Sequence, residues 1–312
     1  MSRKGWALFG ALGVVWGIPF LLIKVADNGG ISVWFLVFSR VFVGAALLLP
    51  AAIRRGTLRQ LRTRWPWVVA LSVVEVILPW LLLSAAEQHL SSSVSGLILA
   101  ATPIVGIGVA RLAGDRERLT LTRAAGLVIG LGGMVLLVGP ALAGGGTLPV
   151  LEAAGTAVCY AIGPVIAARK LAGLDSLSLT AASLSLASAV YVIPATLTPP
   201  HHLPAASVLG ALLGLAIVCT ALAFLLYLAL IAEAGPVRAE VVTYVNPAVA
   251  VVLGVAVLGE PLTPMMIGAF GLILAGSVLA TTRSGIKGGC VDHAGVAKAR
   301  CRAVIRSATR PA

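Results

Sequence analysis

Apolar residues run along this chain in ten stretches, near 6–26, 33–53, 66–86, 92–112, 122–140, 149–168, 177–197, 206–230, 237–258 and 264–281. Short breaks rich in charge, glycine or proline separate them. A bilayer core roughly 30 Å thick needs about 20 apolar residues per helix. A membrane β-barrel would show strands of alternating polarity. These stretches are apolar on every side, so they predict an all-α membrane protein with ten transmembrane helices. The first stretch is too long for a cleavable signal peptide, and nine more follow it.

Composition fits this reading. Hydrophobic residues make up 59% of the chain and charged residues only 11%, against about 25% charged in soluble domains. The mean hydropathy is +1.03. A net charge of +12 invites a nucleic-acid reading, but no basic groove with interleaved aromatics is present, and no nucleic-acid partner is expected. The basic residues sit in the breaks, where they set orientation. With the N-terminus in the cytoplasm, every Lys and Arg except Lys24 and Arg40 falls in a cytoplasmic segment or in the tail: Arg3, Lys4, Arg54 to Arg64, Arg111 to Arg123, Arg169, Lys170, Arg238 and Arg283 to Arg310. This predicts a multi-pass protein of the bacterial inner membrane with both termini cytoplasmic. Cys159, Cys219, Cys290 and Cys301 show no metal-ligand spacing, His201 and His202 stand together without further ligands, and neither metal nor cofactor is expected.

The two halves of the chain resemble each other at an offset of about 144 residues, a self-similarity that marks a repeat architecture. Trp16 matches Tyr160. Pro19 and Lys24 fall near Pro164 and Arg169. Thr102-Pro103 aligns with Asn246-Pro247, and Glu117 and Glu260 both precede glycine-rich helices. An odd number of spans per half turns the second copy upside down in the membrane. The predicted organisation is a five-helix repeat over 1–140, an inverted repeat over 141–281, and a basic, disordered cytoplasmic tail over 282–312. Inverted repeats are typical of secondary transporters, whose substrate site lies near the midplane between the halves.

On the Trp16-Gly17 pair, Lys24, Arg40, the Pro103 and Pro247 helices and the Gly259-Glu260-Pro261-Leu262 segment, the chain resembles the EamA family of the drug/metabolite transporter superfamily over residues 6–281. The resemblance implies a central cavity lined mainly by helices 1, 3, 4, 6, 8 and 9, and a transporter of amino acids, related metabolites or toxic compounds. Tyr160-Ala161 stands where the first half has Trp16-Gly17.

Several residues are candidates for chemistry. A charge deep in the bilayer is costly and faces protein or water, which singles out Arg40 and Glu75. They are expected either to form a structural ion pair or to place Glu75 in the cavity as a proton or cation ligand. Trp16, Tyr160 and Tyr244 are candidate aromatic contacts to substrate, with packing as the alternative. Pro103 and Pro247 remove backbone donors mid-span and are candidate hinges, and Thr102 and Asn246 before them are candidates to bond the freed carbonyls or the substrate. For Trp80 packing is expected, for Trp65 and Trp67 anchoring at the border, and for Lys24 and Glu152 snorkelling. Gly13/Gly17, Gly126/Gly130 and Gly210/Gly214 give small-residue faces for helix packing or for a homodimer contact.

These features point to a secondary-active exporter of small metabolites such as amino acids, working by alternating access, with a proton as the candidate coupling ion. The alternatives are a channel or non-transporting scaffold, and an intramembrane enzyme. No histidine lies within a span and no Walker A sequence is present, so neither enzymatic chemistry nor intrinsic ATP hydrolysis is expected.

Overall fold

The computed structural model describes residues 2–114, 120–143, 146–200, 202–234, 239, 242–243 and 245–281. Ten helical spans follow in order: α1 Arg3–Asn28, α2 Val33–Arg55, α3 Thr57–Ala86, α4 Ser92–Leu112, α5 Leu121–Ala143, α6 Thr147–Lys170, α7 Ser176–Leu197, α8 Ala206–Ala234, α9 Asn246–Leu258 and α10 Pro264–Thr281. The first four and α6 to α8 are each long and apolar enough to cross a bilayer; the other three hold shorter apolar stretches. Among the described residues there is no strand. Tyr244, Glu117, Arg116, Arg118, Arg238, His201 and the 282–312 tail lie outside the described residues.

Local chemistry sets the helix ends. Ser2, Ser32, Ser91 and Asp175 accept a hydrogen bond from the backbone N–H three residues on, at the starts of α1, α2, α4 and α7, satisfying a donor the helix cannot use. Gly56 ends α2 with φ +68°, a left-handed conformation that glycine adopts without strain.

Three spans depart from continuous helices. A π turn widens α3 at Val73–Ile77 and another widens α8 at Gly214–Leu222. In α3, Leu78 N–H reaches back to the Val73 carbonyl, and Pro79, next in line, has no N–H to give. The span α4 is broken into Ser92–Leu99 and Thr102–Leu112. Pro103 therefore stands in the first turn of a new helix instead of kinking one continuous helix, and Pro247 holds the same position in α9. Proline's missing donor costs nothing at a helix start.

The helices pair in a regular way. α5 packs along α10 and α2 along α7, while α1 packs on α8 and α9, α6 on α3 and α4, and α4 on α9. Lipid supplies no hydrophobic drive for such contacts, so close packing of small residues carries them. A methyl group added at Gly276 would lie 2.4 Å from the Gly130 backbone nitrogen, and one at Gly17 would lie 2.4 Å from Val249 Cβ. Of the glycine pairs, Gly13 and Gly17 both abut α9 or the turn before it, whereas Gly214 meets Leu22 and Gly210 faces open space.

Each end of the bundle has its own ties. At one end Glu260 meets Ser92 and Ser93, Gln88 meets Asp27, and Ser32 meets Thr198. At the other, Arg64 donates to the Lys170 and Ala172 carbonyls, Arg55 to Asp175 and Arg169 to the Ala113 carbonyl. The Gly259–Pro264 and Arg54–Arg64 segments thus lie at opposite ends.

Candidate functional site

Arg40, on α2, is the pivot of the interior. It is only 7% exposed. Its Nε donates to Thr220 Oγ1 at 2.9 Å, and its guanidinium carbon lies 3.7 Å from the centre of the Trp80 ring. The delocalised guanidinium, more weakly hydrated than an ammonium, is attracted to the aromatic face, which offsets part of the cost of burying its charge. Thr220 belongs to the widened turn of α8, where its hydroxyl also donates to the Leu215 carbonyl. Trp80 follows the widened turn of α3. Arg40 therefore joins both π turns, and such turns recur at functional sites because they leave backbone groups out of register.

Glu75 lies in the α3 π turn. Its side chain lies against Gly163 of α6 so closely that a methyl group there would sit 1.6 Å from Oε1. Tyr160, one helical turn before Gly163, lies where both Arg40 and Glu75 act on it electrostatically, with the Trp80 indole facing its hydroxyl. Arg40, Glu75 and Tyr160 are thus brought together, with Trp80 and Thr220 as members that sequence reasoning did not select. The carbonyl of Ile77, at the end of the π turn, accepts from the Tyr191 hydroxyl, and Thr156 of α6 donates to the Pro79 carbonyl.

The other candidates lie elsewhere in the interior. Trp16 is half-buried against α8, with ring centroids 5.0 Å from Tyr227 and 6.4 Å from Phe224. A methyl group at its neighbour Gly17 would lie 3.0 Å from the Asn246 carbonyl, so Trp16 and Asn246 sit at one contact between α1 and α9. Asn246 Oδ1 is buried and has no hydrogen-bond partner among the described residues. Thr102 gives its hydroxyl to the Leu99 carbonyl at 2.7 Å, satisfying an acceptor left by the break in α4.

Glu260 makes the firmest polar contact between α4 and the α9–α10 connection. Ser92 N–H donates to Oε1 at 2.7 Å; Ser93 N–H and Ser93 Oγ donate to Oε2 at 3.0 and 2.5 Å. A carboxylate here caps the helix and meets its positive end. Burial pushes the Glu260 pKa up, but the hydrogen bonds from Ser93 and Ser92 outweigh it and hold the group below its ordinary value. Beside it, Lys24 donates to the Glu87 and Leu90 carbonyls at 2.5 and 3.3 Å and lies 3.9 Å from Asp27. Lys24 was expected to snorkel; its ammonium does reach the helix ends, where it binds carbonyl oxygens. At the opposite border, Lys170 Nζ sits 4.7 Å from the centre of the Trp67 ring.

With this geometry in view, the comparisons with known proteins are decisive for the family. The model of the EamA-like transporter family matches residues 4–139 and again 147–282. The chain belongs to that family. Membership makes it a membrane transporter, and its seven long apolar helices suit a bilayer. It is 28% identical over 292 residues to the Escherichia coli protein described as uncharacterized inner membrane transporter YedA, covering 89% of this chain and 92% of the relative. It is 24% identical over 280 residues to uncharacterized transporter YvbV of Bacillus subtilis, covering 89% and 91%. An Archaeoglobus fulgidus protein described as an uncharacterized transporter is 26% identical over 286 residues, covering 88% and 97%. A solved crystal structure described only as that of a protein superposes with a TM-score of 0.63 over 90% of this chain and 98% of the other, at 24% identity, which speaks for the fold alone.

Proposed function

We propose that this protein is a secondary-active exporter of small zwitterionic metabolites of the amino-acid type, set in the bacterial inner membrane and working by alternating access. Arg40 carries the reading. It is a buried cation that joins the two widened turns, beside Tyr160 and Glu75. Among the described residues its one side-chain hydrogen bond runs from Nε to Thr220, which leaves the outer guanidinium N–H groups for a substrate carboxylate; the fork geometry suits that partner. Glu75 then faces the substrate ammonium, and the Trp80 and Tyr160 rings flank it. Asn246 Oδ1, buried without a donor, offers a second polar contact near Trp16.

Alternating access follows from an inverted duplication of five helices. Three observations support it. The family model matches two stretches of the chain. The helix contacts exchange among themselves when each helix is replaced by its repeat partner: α1 on α9 becomes α6 on α4, and α1 on α8 becomes α6 on α3. The two π turns fall at matching places in α3 and α8. Arg3, Lys4, Arg54 to Arg64, Arg111, Arg169 and Lys170 gather at the Arg64 end, so the positive-inside rule makes that end cytoplasmic. The Glu260 and Lys24 contacts then close the outer end, and Pro103 and Pro247, in the first turns of Thr102–Leu112 and of α9, are the hinges.

The test is flux in sealed vesicles of both orientations, with a panel of amino acids and their decarboxylated amines. Saturable counterflow of amino acids, weakened at least about tenfold by removing the carboxylate (about 1.4 kcal/mol of discrimination), supports the reading. Equal handling of acid and amine would refute the role of Arg40. Unsaturable flux would make the protein a pore.

A further inference from the structure

Glu87 stands at the end of α3, at the junction with α1 and the start of α4. It is 0% exposed, and neither carboxyl oxygen has a hydrogen-bond partner among the described residues. Lys24 is adjacent, yet its ammonium is bound to the Glu87 and Leu90 main-chain carbonyls and faces Asp27. The Glu87 carboxyl is left beside it without a donor. An ionised carboxylate stripped of water and unpaired is strongly disfavoured, and the group neutralises instead. Contrast Glu260, which receives three hydrogen bonds. Two carboxyls at one end of the bundle are thus held in opposite ways: one receives three hydrogen bonds that keep it charged, and the other receives none among the described residues.

We propose that Glu87 is a proton-operated latch on the Glu260 end, taking a proton from the water on that side onto a carboxylate oxygen as the end closes and returning it to the same water as the end opens. This rests on the carrier reading above and makes the opening of that end pH-dependent. The groups that face Glu87 are Lys24 and Asp27 of α1, Arg40 of α2 and Glu260 of the α9–α10 connection. Burial is the largest influence on its pKa and raises it; Lys24 and Arg40 pull it down, Glu260 and Asp27 push it up, and the net result is well above the ordinary carboxylate value. The closed form is therefore favoured at low pH. Its advantage is lost as pH rises above the value for a free carboxyl and through that of the buried one. Opening the end hydrates Glu87 and returns it to the ionised state.

The test is infrared spectroscopy of the full chain in lipid nanodiscs, titrated with pH and needing no substrate. The wild type should show a protonated-carboxyl stretch at neutral pH that is absent from Glu87→Gln. In Glu87→Asp, which keeps a carboxyl, the band should titrate at a shifted pH; this variant decides the matter should Glu87→Gln fail to fold. A band unchanged in Glu87→Gln, or no such band in the wild type, overturns the proposal. In vesicles, wild-type counterflow should slow as pH falls at the Glu260 end, and Glu87→Gln, uncharged at every pH, should lose that pH dependence. The same pH dependence in Glu87→Gln overturns the latch. If the wild type moves no substrate at all, the carrier reading fails with the effect of the latch on flux, whereas the band still decides whether Glu87 holds a proton.

Discussion

Arg40 concentrates three kinds of interaction in one side chain: charge, ring contact and a single directed hydrogen bond. Arg40→Lys keeps the charge but loses the planar fork and the ring contact, which are worth about 0.5–2 kcal/mol when desolvated. Substrate affinity should fall about tenfold or more with protein abundance unchanged, read by binding to purified protein beside expression in membranes. Gly163→Ala should be as damaging without replacing any polar group, because its methyl would occupy the space of the Glu75 carboxyl; equal transport by Gly163→Ala would show that the position of Glu75 is immaterial. Tyr191→Phe removes a donor to the Ile77 carbonyl and should lower stability by about 0.5–1.5 kcal/mol, the net worth of one hydrogen bond, seen as a lower Tm in detergent. Arg40 and Glu75 were legible as charges inside apolar runs. Trp80 was not: nothing in its local sequence separates a packing indole from one beneath a cation 40 residues earlier in the chain. Glu87 was missed because it falls in a break between apolar stretches, where charge is ordinary, and only the three-dimensional packing shows that it is sealed from water.

Prolines and apolar runs announced the helices but not their defects. Pro103 and Pro247 read as kinks in long spans, because a proline's effect depends on whether the helix has already begun. The structure begins a new helix at each. The π turns left a weaker trace: Pro79 hints at the one in α3, while α8 has no comparable signal around Gly214–Leu222. The cap on α4 is testable at this level. Its carboxylate is held below its ordinary pKa, so its contribution to stability is present above the unfolded carboxyl value and is lost as pH falls through the lower folded value. Glu260→Gln replaces one acceptor oxygen by an amide and should cost about 1–2 kcal/mol. It should also flatten the acid limb of the Tm-against-pH curve. An unchanged acid limb would mean that the Glu260 cap makes no difference to stability.

The ten helices were legible because lipid asks about 20 apolar residues of each crossing and a satisfied backbone; seven of them meet that length, and α5, α9 and α10 hold shorter apolar stretches. Which helix lies beside which was not, since all ten present similar apolar faces and the pairings α5–α10 and α2–α7 join residues more than a hundred positions apart. The small residues that permit these contacts were visible only as spacings, and Gly210 shows that spacing alone over-predicts. Gly276→Leu should separate α5 from α10, because the side chain would run into the Gly130 backbone. Reduced folded yield and a lower Tm are expected, with leucine at the open Gly268 position as the harmless control.

The grip of Lys24 is on main-chain oxygens, which every amino acid carries and which hold no titrating proton. The Leu90 side chain packs in the core, but the bond from Lys24 goes to the main-chain oxygen of that position and not to its side chain. Only a change at position 24, or motion of the loop itself, undoes that grip.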